Sequence, residues 1–298
     1  MTIYQWTVFL AVAEQKSFVR AAQALNVTQS AVSHIISKME EEYGYPFFVR
    51  NKNNVELTSS GRIMMPYVRN LLACSDSLEQ TAAGLKNVSR GEVKIAAFNS
   101  ATVLWIPPIL KRFREKYADI RVSVIQSGDW RIRRMVEAGE ADLAFLPKDI
   151  AEKEQFIPLH NTPMVCLAPK DFHPKNGESV TPEDLKDVPL ILQSEGYDTE
   201  MKQYIEENKL SVQSNYRIEV DDTCHAFVEQ GLGCCIASLM TARCNPRDVN
   251  IWPLLPRHNR TIGLVTVYPD YISPATELLK KEILSYMKEN GLINVEES

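Results

Sequence analysis

The sequence predicts three successive parts: a small all-α unit, one long helix, and a C-terminal α/β region. Three observations predict this fold class. Residues 17–39 have the spacing of two helices joined by a tight turn. From 64 to 85, mostly apolar residues recur alternately four and three positions apart, as in a helix that packs along one seam. After Gly91, strand and helix patterns alternate, which is typical of βαβ units around a largely parallel sheet.

A first helix is predicted over residues 2–14, ahead of the helical pair. The face expected to turn inward is formed by Trp6, Phe9, Leu10 and Ala13. This face would close the small core beneath the pair, which buries little apolar surface by itself.

The helical pair is delimited by good capping residues. Ser17 can cap a helix over residues 18–25, and Asn26 tolerates the left-handed conformation that closes a helix. Thr28 can then cap a second helix that starts at Gln29. The apolar face of this second helix is formed by Val32, Ile36, Met39 and Tyr43, and the opposite face by Ser30, Ser33, His34 and Ser37.

The polar face of the second helix suits a DNA major groove. Small polar side chains let a helix sink into the groove, where Gln, Ser and His meet base edges or phosphates. The alternative is a plain helical hairpin whose polar face is only solvated. The residues that we expect to contact DNA from this helix are Gln29, Ser30, Ser33, His34, Ser37 and Lys38.

A short two-stranded ribbon is predicted after the second helix. Residues 47–50 and 55–58 have strand character, and the polar residues 51–54 between them form a turn. A ribbon that follows a recognition helix is a wing. We therefore expect Arg50 and Lys52 to contact phosphates beside the groove.

The long helix is predicted over residues 59–88, with Pro66 inside it. Its seam consists of Met64, Val68, Leu71, Ser75, Leu78, Ala82 and Leu85. A small unit cannot bury such a seam alone, so the helix needs a partner, which would be a second subunit or the C-terminal region of the same chain. A dimer that reads two half-sites also suits the affinity of specific DNA binding better than one helix does.

The order of these motifs resembles the LysR-type transcriptional regulators. The residues that carry the resemblance are Phe9, Ala21-Ala22, Val27-Thr28-Gln29-Ser30, Ser33, Met39-Glu40, Gly44, Phe48, Arg50, Leu57-Thr58 and Gly61. The resemblance implies a winged helix-turn-helix DNA-binding domain over 1–58, a linker and dimerisation helix over 59–90, and an effector-binding domain over 91–298. It implies a homodimer, further assembly into a tetramer, and an inverted-repeat operator in double-stranded DNA, with RNA polymerase as a further candidate partner.

The resemblance also implies an effector domain that is similar to periplasmic solute-binding proteins. Its two α/β subdomains would comprise residues 91–161 with 264–298, and residues 162–263, with a small-molecule effector between them. Ligands of open α/β sheets bind beyond the carboxyl ends of strands, which here suggests a carboxylate held by hydroxyls and backbone amides. The candidate effector residues, each of which could instead be a turn or cap residue, are Ser100, Ala101, Thr102, Gln126, Ser127, Gln193, Ser194 and Thr223.

The charge distribution and the motifs that are missing limit the other functions that this chain could have. The net charge is −5, but residues 1–90 carry nine basic against seven acidic residues, so the acidic excess belongs to the C-terminal part. No apolar run of about 18 residues could span a membrane, and no signal-peptide pattern opens the chain, so a cytoplasmic location is expected. No motif for a hydrolase nucleophile, a phosphate-binding loop or a metalloprotease is present, so neither an enzyme nor a cofactor is expected.

The six cysteines leave one alternative open. They form no CxxC pair and no Cys/His spacing typical of a metal site, so buried thiols are the simple interpretation. A redox-responsive regulator would instead need reactive thiols that can pair. The candidates for that function are Cys224, Cys234, Cys235 and Cys244.

Overall fold

The computed structural model describes residues 1–51, 54–84, 91–151, 156–194, 199–210, 214–267, 269 and 272–295. The chain divides into two compact units. The N-terminal unit comprises residues 1–91 together with 137–140 and 268–277. The α/β unit comprises residues 92–136, 141–267 and 278–298.

The N-terminal unit begins with three helices, α1 (Ile3–Gln15), α2 (Phe18–Ala24) and α3 (Gln29–Tyr43). The predicted caps are confirmed. The Ser17 hydroxyl accepts a hydrogen bond from the Arg20 amide at 3.3 Å, and the Thr28 hydroxyl accepts one from the Ala31 amide at 3.2 Å. Asn26 has the expected positive φ of 55°. Local capping chemistry therefore sets both ends of the turn between α2 and α3.

The core of this unit is aromatic, and one predicted face is wrong in part. Trp6 and Phe9 are buried as expected, but Val8 and Val12, rather than Leu10 and Ala13, complete the buried face of α1. Leu10 and Ala13 are only partly buried at its margin. Phe9 stands edge-on to Phe47, with ring centroids 5.2 Å apart, so the buried face is centred on Phe9 and its neighbours Val8 and Val12.

A ribbon and a long helix complete the N-terminal unit. Strands β1 (Phe48–Asn51) and β2 (Asn54–Leu57) pair antiparallel, as the wing prediction requires. Helix α4 extends over Ser59–Gly84, with Pro66 inside it. The predicted continuation to residue 88, and Leu85 with it, lies outside the described residues.

Only the N-terminal part of the predicted α4 seam is buried. Val68 is buried, and Met64 packs against the core of the helical unit, so this part of the seam is used within the unit. Leu71 and Leu78 are 42% and 69% exposed. Their neighbours on the same stripe, Ile63 and Tyr67, are 67% and 68% exposed. One apolar stripe of α4 is thus left on the surface of the single chain.

The first half of the α/β unit follows the predicted alternation. Its elements are β3 (Gly91–Ala97), α5 (Asn99–Leu104), α6 (Ile106–Lys116), β4 (Ile120–Gln126), α7 (Asp129–Ala138) and β5 (Leu143–Pro147). The sequence predicts one helix over 103–117, but the structure has two, divided at Trp105. The cause is Pro107-Pro108, because proline is favoured in the first turn of a helix and disfavoured further inside.

The second half contains three elements that the sequence patterns did not predict, namely α8, α11 and β10. In order, its elements are β6 (Phe156–Ala168), α8 (Pro182–Leu185), β7 (Leu192–Gln193), α9 (Thr199–Glu207), β8 (Arg217–Ile218), α10 (Asp221–Glu229), β9 (Cys235–Ser238), α11 (Leu239–Cys244), β10 (Asn250–Pro253), β11 (Asn259–Thr266) and α12 (Pro274–Glu289).

One long strand belongs to both halves of the α/β unit. Within the described residues the main sheet has the order β10-β6-β11-β5-β3-β4, and β9 also pairs with β6. Residues 156–163 of β6 pair with β11, whereas residues 164–168 pair with β9 and β10. Since β11 runs antiparallel to both β5 and β6, the sheet is mixed rather than largely parallel.

Candidate DNA-binding face and effector cleft

Helix α3 has one buried and one exposed face. Val32, Ile36 and Met39 are fully buried against the core of the unit. The predicted DNA-contacting residues of α3 all lie outside this buried stripe, with Gln29, Ser30, His34, Ser37 and Lys38 exposed and Ser33 partly exposed. The structure therefore brings these six polar residues together on the outward side of one helix. The side chain of Arg50 and the whole of Lys52 lie outside the described residues.

The N-terminus of α3 is open to an anion. The Thr28 hydroxyl caps the Ala31 amide, and it lies 3.0 Å from the Ser30 hydroxyl. Thr28, Gln29 and Ser30 are all exposed, so the first turn of this 15-residue helix faces solvent. Unsatisfied N–H groups and the helix dipole favour a phosphate at such an end.

The wing is tied to α3 by a side chain whose function the sequence pattern did not reveal. Glu40 lies in α3, and its Oε1 atom accepts hydrogen bonds from the Phe47 amide at 2.7 Å and the Phe48 amide at 3.1 Å. One carboxylate thus satisfies the two donors at the start of β1. The position of the wing relative to the recognition helix depends directly on this contact.

A second junction joins the wing to α4. The Thr58 hydroxyl donates to the Pro46 carbonyl at 2.8 Å and accepts from the Gly61 amide at 3.0 Å. Arg62 donates to the Leu57 carbonyl at 2.6 Å. The Leu57-Thr58 and Gly61 motif is therefore the cap of α4 as well as the end of the ribbon.

Four elements of the α/β unit meet around Asp221, at the start of α10. The Asn99 amide, after β3, donates to Asp221 Oδ2 at 3.0 Å, and the Gln193 amide of β7 donates to Asp221 Oδ1. Gln126, at the end of β4, donates to Asn99 Oδ1 at 3.1 Å. Asp221 is 6% exposed and joins the two halves of the unit. We call Asn99, Gln126, Gln193 and Asp221 the amide row.

Two of the predicted effector residues belong to the amide row, and one lies beside it. Gln126 and Gln193 are the two members. Ser100 follows Asn99, is 2% exposed, and accepts a hydrogen bond from the Thr241 hydroxyl at 3.4 Å. Thr241 in turn lies 2.9 Å from the Ser238 hydroxyl. Ser100 therefore also joins the two halves of the unit.

The hydrogen bonds of the other predicted effector residues are made outside the amide row. The Thr102 hydroxyl donates to the Phe98 carbonyl at 3.0 Å, so it satisfies its own helix instead of the amide row. Ala101 is fully buried. The Ser127 and Ser194 amides donate to the carbonyls of Ala97 and Ile218, and the Thr223 amide donates to that of Val220. The structure does not bring these five residues into the amide row.

A buried ion cluster adjoins the amide row, and sequence reasoning missed it. Arg260 of β11 bonds both Asp129 oxygens, at 2.8 and 3.0 Å, and Glu200 at 3.0 Å. Asp129 and Glu200 are almost fully buried, and Arg260 is 6% exposed. The guanidinium also lies 4.7 Å from the centre of the Phe98 ring. These residues come from both halves of the α/β unit.

Three cysteines of this unit have raised pKa values. A hydrogen bond with the Cys234 thiol, together with burial, raises the pKa of Cys166 well above its usual value. A hydrogen bond with Cys224, together with burial, likewise raises the pKa of Cys235. Burial raises the pKa of Cys244 to about 11. Since the thiolate is the reactive form, these environments disfavour reaction at Cys166, Cys235 and Cys244.

The described residues show neither a metal-binding cluster nor a membrane-spanning helix. In the described part of the chain, no group of three or more His, Cys, Asp or Glu side chains is placed to bind a metal ion. Among the described helices, none combines the length and apolar character needed to cross a membrane.

Two family patterns match this sequence. Residues 3–62 match the family described as bacterial regulatory helix-turn-helix protein, lysR family. Residues 86–288 match the LysR substrate binding domain. The chain belongs to the LysR family. It is a DNA-binding transcription regulator with an effector-binding domain, as the order of its sequence motifs predicts.

Relatives of this LysR-family chain match over most of its length. The transcriptional regulator YvbU of Bacillus subtilis is 29% identical over 248 residues, which are 81% of this chain and 82% of YvbU. Full-length OxyR of Pseudomonas aeruginosa has a TM-score of 0.77 at 22% identity, covering 95% of this chain and 94% of OxyR.

Two other solved structures of similar fold contain a bound ligand, DNA in one and a small molecule in the other. CbnR in complex with its target DNA has a TM-score of 0.62 at 17% identity, covering 96% of this chain and 99% of CbnR. The effector-binding domain of QuiR in complex with shikimate has a TM-score of 0.58 at 22% identity, covering 67% of this chain and 99% of that domain. At these identities the similarities establish the fold.

Proposed function

We propose that this LysR-type regulator is a homodimer that reads an inverted-repeat operator with two copies of α3. The observation that carries the proposal is the polar outward face of α3 beside a wing that Glu40 fixes in place. Gln29, Ser30, Ser33, His34, Ser37 and Lys38 would contact the groove, and Arg50 and Lys52 would contact flanking phosphates. The DNA complex of the similarly folded CbnR supports this use of the fold.

The dimer would form through the exposed apolar stripe of α4. A single helix contributes few base contacts, whereas two half-sites supply the additive discrimination that a specific site needs. Further assembly into a tetramer and contact with RNA polymerase would follow on DNA, in the cytoplasm, where the chromosome lies. The proposal requires no catalytic step.

We propose further that a small-molecule effector binds where the amide row and Ser100 join the two halves of the α/β unit. Hydrogen bonds such as Asn99 to Asp221 connect elements 122 positions apart in the sequence, so a ligand there would alter how the two halves meet. The QuiR domain, which binds shikimate, supports a small polar ligand for this fold. Binding would shift the population between two arrangements and so change operator binding.

The DNA-binding proposal is tested with a double variant, Ser33→Glu with His34→Glu. An operator would first be selected from random-sequence duplexes, which we expect to yield an inverted repeat. Two carboxylates on the groove-facing side should abolish retention of this duplex in a gel shift, because they repel phosphates. The melting temperature and the dimer mass should not change.

The matched control is Lys202→Glu, on the α/β unit. It changes the net charge by the same amount at a side chain that is 74% exposed. It should leave retention unaltered apart from a small long-range effect at low salt. If the double variant retained the duplex as well as this control does, the assignment of α3 would be wrong.

A further inference from the structure

A cavity of about 430 Å³ lies beside the point where β6 changes partners. Residues 156–163 of β6 pair with β11, and residues 164–168 pair with β9 and β10. The volume suits a small-molecule site, and no residue of the amide row lines it. The apolar walls of the cavity are formed by Pro163, Val165, Leu239, Ile251, Pro253 and Leu254.

The apolar walls of the cavity are open to water. Pro163, Ile251 and Pro253 are exposed, and the exposed fraction of Ile251 is 42%. An apolar group that covers such walls removes their surface from water, which favours binding. The walls therefore select a ligand with an apolar body.

One segment that lines the cavity is polar and basic. It consists of Arg257, His258 and Asn259, and no Asp or Glu lies among the described residues that line the cavity. Arg257 is exposed and forms no ion pair or hydrogen bond within the described part of the chain. The Nδ1 atom of His258 lies 3.8 Å from the Glu207 carboxylate, so this acid faces the histidine. The guanidinium of Arg257 is thus the permanent charge that the cavity offers, and it suits a carboxylate.

The basic segment is held in place without a ligand. The Tyr204 hydroxyl donates to the Leu255 carbonyl at 3.0 Å, ahead of Arg257. The Met164 amide donates to the His258 carbonyl at 2.8 Å, immediately after it. A backbone that is fixed on both sides of Arg257 lowers the cost of ordering the site when a ligand binds.

We propose that this cavity binds a small monocarboxylate with an apolar body, with its carboxylate at Arg257 and its apolar part against the walls. The site is separate from the effector site proposed above and does not depend on it, because it shares no residue with the amide row or with Ser100. A ligand here would contact Pro163 and Met164, the two residues between which β6 changes partners.

The test uses the full-length protein and four probes at constant ionic strength. Benzoate, benzamide and benzamidinium share a ring but carry negative, zero and positive charge, and acetate is a carboxylate without an apolar body. Benzoate should raise the melting temperature, and calorimetry should show that it binds about tenfold or more tightly than benzamide or acetate. No rise with benzoate at tens of millimolar, or equally tight binding of any other probe, would overturn the proposal.

Two charge-matched variants locate the carboxylate. Arg257→Gln removes the guanidinium and should weaken benzoate binding about tenfold, while benzamide binding stays within about twofold. Arg121→Gln removes the same charge from an exposed position in β4, outside the cavity, and should leave the binding of both probes within about twofold. Benzoate binding that is unchanged in Arg257→Gln, or weakened equally in both variants, would overturn the proposal.

A variant of the wall locates the apolar body. Ile251→Trp enlarges a side chain that is 42% exposed, so the fold should tolerate it, and the narrowed cavity should bind benzoate and benzamide more weakly alike. Gln126→Leu changes the amide row but no residue that lines the cavity, and should leave benzoate binding within about twofold. If Gln126→Leu abolished benzoate binding and Ile251→Trp did not, the carboxylate would bind in the amide row and the inference of a separate site would be wrong.

Discussion

A Cβ atom at Gly61 would lie 2.4 Å from the carbonyl oxygen of Phe47. Gly61 lies in the first turn of α4, and Phe47 immediately precedes the wing strand β1. The close approach lets the start of α4 pack directly against the backbone of the wing. A glycine is therefore required at position 61 because a side chain would come too close to Phe47. Backbone conformation does not require it, since the backbone at this point is helical.

Gly61→Ala should separate α4 from the wing. The added methyl group cannot remain 2.4 Å from a backbone oxygen, so the helix must shift, at a cost of about 1–3 kcal/mol. Urea unfolding should show this loss, and affinity for the selected duplex should fall because the wing moves. Gly44→Asn is the control, since Gly44 has a φ of 78° that asparagine tolerates and an open Cβ position. A Gly61→Ala protein as stable as this control would show that the junction is not tight.

Glu40→Ala should weaken DNA binding, although in this proposal the Glu40 side chain positions the wing and does not contact DNA. The amides of Phe47 and Phe48 would lose their shared acceptor, at a cost of about 1–3 kcal/mol for each donor left unsatisfied. We expect a lower melting temperature and a weaker gel shift. Glu41→Ala removes the same charge from an exposed neighbour and should change neither. Equal effects of the two substitutions would mean that charge, and not the position of the wing, matters.

The N-terminal unit was predictable because its determinants are local. Ser17, Asn26 and Thr28 act on backbone groups within a few residues, so their spacing in the sequence is enough to place α2 and α3. The division of the α4 seam was not predictable. The heptad pattern identifies apolar residues, but it does not say that Val68 packs inside the unit while Leu71 remains on the surface.

The site of the α/β unit was only partly predictable because its contacts are long-range. Gln126 and Gln193 were predicted from their positions at strand ends, and both lie in the amide row. Asp221 and Arg260 were missed because their partners are distant in the sequence. Asp221 and Asn99 are 122 positions apart, and Arg260 and Asp129 are 131 positions apart. No local pattern marks such a pair, and the sequence shows only a charged residue at a helix start or in a short strand.

Arg260 should be important for stability. Replacing it with alanine would leave Asp129 and Glu200 buried without its charge, and loss of one partner of a buried ion pair costs about 3–5 kcal/mol. Urea unfolding of the full-length protein measures this loss. Arg257→Ala, at an exposed position three residues earlier, should have little effect. If Arg260→Ala unfolded at the same urea concentration as Arg257→Ala, the cluster would contribute no net stability.

Thiol labelling should distinguish a ligand sensor from a redox sensor. Cys74 is exposed, whereas Cys166, Cys224, Cys234 and Cys235 are buried. With a pKa of about 11, Cys244 is thiolate to about one part in a thousand at pH 8. The reactivity of Cys244 should therefore rise only as the pH approaches this raised pKa.

Labelling of the native protein with a chromogenic disulfide reagent at pH 8 should therefore show no fast thiol besides Cys74, which lies between Leu71 and Leu78 on α4 and is shielded in the proposed dimer. Cys74→Ser should remove any fast phase, and denaturant should expose the remaining thiols. Rapid native labelling of any of Cys224, Cys234, Cys235 or Cys244 would revive the redox alternative. An oxidant-independent response of operator binding after replacing these four by serine would exclude it.

Leu71 and Leu78 should hold the dimer together. They lie on one stripe of α4 with Ile63 and Tyr67, and these four side chains are 42–69% exposed in the single chain. Leu71→Asp with Leu78→Asp would place four carboxylates in the interface of a dimer, so sedimentation should show a monomer. Affinity for the inverted repeat should then fall roughly hundredfold or more, because the two half-sites are no longer bound together.

The control for this pair is Leu71→Met with Leu78→Met, which keeps the apolar character and should preserve the dimer. The melting temperature of the helical core should be similar in both pairs, since Val68 and Met64, which pack in that core, are unchanged. A dimer that persisted in the aspartate pair would mean that another surface joins the subunits. In that case the exposed stripe of α4 would need a different partner, because an exposed apolar stripe about four helical turns long marks an interaction surface.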